Sequence, residues 1–255
     1  MSDEVFDSHR IDTRGGTPGG KTYHGRIGRG AVMENGMPNN YTRQRLLSVY
    51  HTLDTQYGPQ HWWPANSPFE IMVGAVLTQN TAWANVEKAI ENLKAMDCLD
   101  AKRIAALPSV ELAMLIRPSG YFNVKAKRLQ EFCKWYMDRD RFAGLAGLDT
   151  HSLRDALLSV HGIGPETADD MLLYAFERAI FVVDAYTRRI FSRLDLLDGE
   201  LSYEVLRTMI EEALPADNAL FSQYHALIVR HGKDICRKRP CCDRCCVRRF
   251  CAFEK

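Results

Sequence analysis

The segment Leu157–Leu196 of the 255-residue chain, LLSVHGIGPETADDMLLYAFERAIFVVDAYTRRIFSRLDL, decides the fold. Leu153, Leu157 and Leu158 share one face of a helix, and Ala168, Met171, Leu172 and Ala175 continue a 3.6-residue period on a second. Between them Gly162 and Gly164 permit a tight turn with bare backbone at the surface, and Pro165 suits the first position of the second helix. Such a helix start offers unpaired N–H groups and the positive end of its dipole, which suits a phosphate. An ordinary helical hairpin turning on glycines has the same spacing, so the downstream sequence matters. Val182 and Val183 deliver Asp184 to the end of an apolar run, beside a helix carrying Arg188, Arg189 and Arg193. A lone Asp in that place is most often an N-cap.

Together, HGIGPETA and VVDAYTRRIFSRL resemble the helix-hairpin-helix DNA glycosylases of the endonuclease III superfamily. The resemblance implies an all-α, two-lobed fold. It also implies that the amides around Gly162 and Gly164 grip a DNA phosphate, that Arg189 adds a DNA contact, and that Asp184 drives cleavage of the N-glycosidic bond.

Composition fits a globular chain, with 46% hydrophobic residues, enough for a real core. The 33 basic and 32 acidic residues nearly cancel, so global charge calls for no polyanionic partner. Local charge does, in the runs Arg117–Arg128 and Arg230–Lys255, although such runs also serve as solvated faces. No apolar run reaches the roughly 18 residues of a membrane span, and the N-terminus lacks the apolar core of a signal peptide. These features predict a cytoplasmic monomer that meets no membrane. Six of the eight cysteines fall between Cys236 and Cys251, which in a reducing compartment points to metal rather than disulfides.

Residues 1–40 hold eight of the seventeen glycines and little apolar periodicity, predicting a disordered tail, with Met33 or Met37 as alternative starts. A helix is expected over Tyr41–Tyr57, stopped by Gly58 and Pro59. Phe69–Leu77 is apolar on nearly every side, as a central buried helix would be, and ends in the polar group Gln79, Asn80 and Thr81. Trp62, Trp63 and Trp83 flank it. Large flat faces suit a pocket for a flipped base, core packing being the plainer use.

WWP, GAVLTQNT and RPSGYFNVKAKRL resemble the 3-methyladenine DNA glycosylase branch of the superfamily. In that branch the residues matching Trp62 and Trp83 enclose the alkylated base, Trp63 and Pro64 complete the wall, and Lys233 lies near the pocket. The resemblance further places Gln79 at the DNA interface, Tyr121 as the side chain inserted into the duplex, and Lys125 beside it as a DNA contact. The two lobes are expected to comprise a helical barrel over 61–176, and 41–60 plus 177–255.

The tail CRKRPCCDRCCVRRFC offers Cys236, Cys242, Cys245 and Cys251 as a four-thiolate set, able to hold zinc or a [4Fe–4S] cluster. The superfamily resemblance implies the [4Fe–4S] cluster, with zinc as the alternative and Cys241 and Cys246 as competing or spare thiols. Superfamily members that also cut the strand carry a Lys two residues after the second hairpin glycine, where this chain has Glu166. A carboxylate cannot form an imine. The expected activity is therefore a monofunctional glycosylase that acts on duplex DNA containing a damaged base, here a cationic alkylated purine. Lys125, Lys127 and Lys233 are the conceivable amine substitutes. The competing readings are a bifunctional glycosylase for oxidised or mismatched pyrimidines, and a non-catalytic DNA-binding protein.

Overall fold

The computed structural model describes residues 33–34 and 37–253. Twelve helices carry the described fold: α1 Asn40–Tyr57, α2 Pro68–Thr78, α3 Trp83–Ala95, α4 Ala101–Ala106, α5 Ser109–Leu115, α6 Phe122–Met137, α7 Arg141–Ala146, α8 Thr150–Leu158, α9 Pro165–Asp170, α10 Ala185–Arg193, α11 Tyr203–Ala213 and α12 Asn218–Asp234. A two-residue ladder, Met33–Glu34 (β1) with Met37–Pro38 (β2), precedes them and touches α1 and α11. The disorder expected for 1–40 therefore does not extend to 33–34 and 37–40, and the rest of that expectation lies outside the described residues. Asn39 fixes the start of α1 as its N-cap, accepting from the Thr42 N–H at 2.9 Å.

The helix α2 is the axis of the first lobe. Ser67 caps it through the Glu70 N–H, while Glu70 accepts from the Asn66 N–H at 3.1 Å, so both sides of the first turn are satisfied. Met72 to Leu77 are all buried, which requires neighbours on every side, and α3, α6 and α9 supply them. In the second lobe α12 takes the equivalent place, packed against α1 and α10.

One π-helical turn, Met171–Ala175, continues α9 and touches both α2 and α12. It is wholly buried and leads into the extended run Ile180–Val183, also buried, which ends at Asp184. Apolar burial on all sides thus determines where the Asp184 backbone stands.

Candidate active site

The hairpin between α8 and α9 is anchored by the buried side chains of Val160 and Ile163. Gly162 has φ +91°, and a Cβ there would stand 2.5 Å from Cγ of Arg128, so the turn requires glycine twice over. Gly164, the N-cap residue of α9, is different: nothing lies within 4 Å of where its Cβ would be. The fold itself does not demand glycine at 164, which leaves bare backbone facing outward.

Gln79 reaches this hairpin from the end of α2. Its Nε2 donates to the Gly162 carbonyl at 3.1 Å and to Thr167 Oγ1 at 3.0 Å, and its Oε1 accepts from Arg128. The expected DNA-facing glutamine is thus turned inward, because an amide can satisfy donor and acceptor needs of the turn at once. Asn80, next along, is exposed at φ +53°.

Asp184 is the N-cap of α10. Its Oδ1 accepts the Thr187 N–H at 2.7 Å, and its Oδ2 stands 3.6 Å from Nε2 of His225 on α12. Burial pushes its carboxyl upward, but His225 and the Thr187 N–H together hold it below the ordinary value. A carboxylate so placed remains charged. Two further acids from α9 face it. Asp170 is buried, and desolvation, then the charges of Glu166, Asp184 and Asp169, hold it well above its usual range. The Glu166 side chain lies in the exposed first turn of α9. Desolvation, then the Asp184 charge, push its carboxyl up to about 7 against the pull of Arg188.

Two members of this group carry no clear signal in the sequence. Tyr174, in the π-helical turn, places its hydroxyl 2.6 Å from Nδ1 of His225. Both belong to mainly apolar buried segments, where a polar side chain reads as an ordinary core substitution. The signal that could have found His225 is a histidine on the buried face Tyr224–Ile228 of an otherwise amphipathic helix.

The aromatic wall lies on the other side of Tyr174, whose ring is 5.4 Å from that of Trp63. Trp62 and Trp83 meet edge to face at 4.8 Å, and Trp63 and Trp83 at 4.9 Å. A base held between two faces needs about 7 Å, twice the roughly 3.5 Å contact distance of carbon atoms. Trp62 and Trp83 therefore do not enclose a base-wide slot in this conformation, because the three indoles bury one another's apolar faces. Gly74 makes room for Trp63, with a Cβ position 3.0 Å from its Cζ2. Trp83 Nε1 donates to Glu87 Oε1 at 2.7 Å, while the buried Nε1 atoms of Trp62 and Trp63 have no hydrogen-bond partner among the described residues. Pro64 is exposed beside them.

Four expected DNA or pocket residues are placed in two ways, exposed or tied to backbone carbonyls. Tyr121 is 62% exposed at φ +45°, preceding α6, and so free to reach outward. Lys125 is 2% exposed and its ammonium donates to the carbonyls of Leu77 at 2.8 Å and Ser119 at 2.6 Å. Its expected DNA contact is contradicted: the charge ties α2 to the loop before α6, and burial lowers its pKa to about 8. Arg189 is likewise committed internally, donating to the carbonyls of Cys236 at 2.9 Å and Gly232 at 3.1 Å and lying over the Tyr186 ring. It caps the end of α12 rather than presenting itself to DNA. Gly232 is dictated by the same packing, since a Cβ there would overlap Tyr186. Lys233, the next residue, is exposed.

The C-terminal loop brings the thiols to the end of α12. Arg193 Nη1 lies 3.3 Å from Cys236 Sγ, Cys245 Sγ is 3.5 Å from Nε2 of the buried His231, and Arg237 Nη2 is 3.1 Å from Cys241 Sγ. None of these cysteines is in a disulfide, and Cys236, Cys242, Cys245 and Cys251 are all half-buried. Among the described residues no three Cys, His, Asp or Glu side chains converge on one point as a single ion needs. Arg45 of α1 ties the loop down by donating to the carbonyls of Leu194 at 2.7 Å and Phe250 at 2.8 Å.

Comparison with known proteins agrees with this geometry. A protein of Methanocaldococcus jannaschii named as a DNA repair glycosylase, MJ1434, is 45% identical over 82% of this chain and 96% of its own length. The structure of Helicobacter pylori 3-methyladenine DNA glycosylase bound to 1,N6-ethenoadenine superposes with a TM-score of 0.64 at 31% identity, over 75% of this chain and 97% of that one. An endonuclease III–DNA complex has a TM-score of 0.71 at 22% identity, over 82% and 95%, a likeness of fold. Residues 73–216 match the HhH-GPD superfamily base excision DNA repair protein family, and the chain belongs to that family.

Proposed function

We propose that the protein is a monofunctional DNA glycosylase that hydrolyses the N-glycosidic bond of a flipped alkylated purine such as 3-methyladenine. The observation that carries this reading is the charge character of the cleft. Asp184, Glu166 and Asp170 face one another, and the ammonium of Lys125 is buried on two carbonyls. Such a site, in which Asp184 is held anionic, suits both a cationic leaving base and the positive charge that grows on the sugar as the bond breaks. It offers no imine-forming amine at Glu166. Indole faces add cation–π attraction for the same bases.

Asp184, anionic and held by the Thr187 N–H, stabilises the developing oxocarbenium ion and accepts a proton from the attacking water. Base entry must separate Trp62 from Trp83, and Tyr121, exposed ahead of α6, is the side chain that would fill the space the base leaves. The outward backbone at Gly164 and the basic loop 237–249 supply phosphate contacts, which position the duplex without reading its sequence. The 31% identity with the H. pylori alkylation-repair enzyme supports the substrate class.

The donor set fits a [4Fe–4S] cluster on Cys236, Cys242, Cys245 and Cys251. None of the four is in a disulfide, all are half-buried, and an Arg193 guanidinium N–H and Nε2 of His231 stand against two of the sulfurs, as an anionic thiolate set requires. Zinc needs four donors converging on one ion, whereas the irons of a cluster are bound one thiolate each. Bound there, the group would pin the loop 237–249 to α10 and α12 as a structural element.

Purified protein incubated with DNA treated with a methylating agent should release free methylpurines and leave abasic strands uncut, with no covalent complex trapped by borohydride. Release of oxidised pyrimidines with efficient trapping would overturn this reading in favour of a bifunctional enzyme.

A further inference from the structure

His225 belongs to none of the groups that hold DNA, base or cluster, yet it stands between the aromatic wall and the carboxylate. It lies in the middle of α12, 5% exposed, with its two ring nitrogens aimed at two different elements. Nδ1 is 2.6 Å from the Tyr174 hydroxyl, and Nε2 is 3.6 Å from Oδ2 of Asp184, with no hydrogen-bond partner among the described residues. A buried histidine serving only to pack would not leave a nitrogen unpaired, since an unmade bond in the interior is a net loss.

The two partners of the ring together fix which nitrogen carries the proton. Tyr174 is buried, and desolvation, then the charges of Asp170 and Asp184, keep its phenol far above the usual range, so the hydroxyl keeps its hydrogen and donates it. A carboxylate only accepts, so the nitrogen facing Asp184 carries the ring hydrogen, and Nδ1 accepts from the Tyr174 hydroxyl. At 3.6 Å this contact is longer than a hydrogen bond, as catalytic contacts often are before the reacting complex forms.

The Asp184 side shows why a donor is needed there. Oδ1 is already taken by the Thr187 N–H, so Oδ2 is the oxygen left to face the reaction. The groups around it are mostly unfavourable to a negative charge: Glu166 and Asp170 from α9 are acids, and Tyr174 and Tyr186 are un-ionised phenols. Arg188 acts on Glu166. Against the desolvation of burial, the groups that favour its charge are His225 and Thr187.

We infer that His225 is a positioning residue for glycosidic cleavage: Tyr174 and Asp184 together set its tautomer, and its Nε2–H holds the Asp184 carboxylate in place and in its anionic form. This rests on the assignment of Asp184 as the group that drives the reaction. Because Tyr174 also packs on Trp63, the same three residues connect the base wall to the carboxylate through consecutive contacts.

The test is single-turnover release of free base from methylated duplex across pH, with DNA affinity and melting temperature measured alongside. His225→Phe should slow release by about tenfold to a hundredfold, the scale of a reacting group displaced by about 1 Å, with affinity unchanged. The acid limb of its pH–rate profile should move to higher pH, because Asp184 then protonates more readily. His225→Gln, whose amide can place an N–H near the Nε2 position, should restore most of the rate and the wild-type limb. Tyr174→Phe, which keeps the ring packing, should give a smaller change in the same direction and guards against misfolding of the Phe variant. A His225→Phe or Tyr174→Phe enzyme with wild-type rate and profile would overturn the role of His225, as would a His225→Gln enzyme as slow as His225→Phe. Asp184→Asn separates the two readings. Loss of activity there with His225 variants unaffected removes the His225 role alone, whereas full activity in Asp184→Asn removes the role of Asp184 and that of His225 with it.

Discussion

The side-chain amide of Gln79 donates to the backbone carbonyl of Gly162 at 3.1 Å, fastening the end of α2 to the turn that opens α9. This contact makes the hairpin a rigid part of the first lobe. Gln79→Ala removes it together with the bonds to Thr167 and Arg128 and leaves buried partners unpaired, so it should destabilise by about 1–3 kcal/mol in urea unfolding. Gly164→Ala, by contrast, meets nothing within 4 Å and should leave stability within about 0.5 kcal/mol. It should nevertheless weaken binding to damaged and undamaged duplex alike. A variant that binds both normally would remove Gly164 from the phosphate contact.

Lys125 behaves as a structural cation. Lys125→Ala strands the carbonyls of Leu77 and Ser119 and should cost about 1–3 kcal/mol of stability, while the folded protein binds undamaged duplex as before with an unchanged salt slope. A lower slope with unchanged stability would restore Lys125 to the DNA interface.

The indole cluster must open for a base to enter. Trp62→Ala and Trp83→Ala should each reduce excision by an amount set by stacking, about 1–3 kcal/mol, or roughly fivefold to 150-fold, with undamaged-duplex binding nearly intact. Equal losses of stability and of non-specific binding in both variants would return the two residues to simple packing.

Glu166 carries a pH signature. Its pKa is raised to about 7, so the folded protein binds more protons than the unfolded chain between the ordinary glutamate value and 7. Its contribution to stability is therefore fully present below the unfolded pKa and falls as pH rises through about 7. Glu166→Gln should flatten this dependence, gaining relative to wild type above pH 7. Melting temperatures of the two proteins that stay parallel from pH 5 to 8 would contradict the assignment.

The cysteine set predicts a brown protein with near-stoichiometric four-iron content. Cys242→Ala and Cys245→Ala should lose colour and stability, since ligand binding is coupled to folding. Cys241→Ala and Cys246→Ala should retain colour. Colourless protein with one zinc after anaerobic preparation would mean the alternative metal is correct.

The helices were legible where local chemistry sets them. The glycines and Pro165 announce the turn before α9, the all-apolar α2 announces a central helix, and the run up to Asp184 announces a buried approach. The inward turn of Gln79, Lys125 and Arg189 was not legible, because a polar side chain's destination depends on which orphan carbonyls the tertiary fold leaves nearby. His225 and Tyr174 escaped for a related reason: 51 residues apart, they meet only once α12 packs on the π-helical turn. The short helix α7 carried no usable pattern, having two glycines in and just after six residues.

Asp184 remains the centre of the account, and one substitution addresses it most directly. Asp184→Asn keeps the shape and the N-cap oxygen but removes the negative charge that faces the developing cation. The single-turnover rate of free-base release from methylated duplex should fall by ~10²-fold or more, the scale of one preorganised charged or proton-accepting group, while DNA affinity holds or rises. Release within a few-fold of wild type would contradict the account.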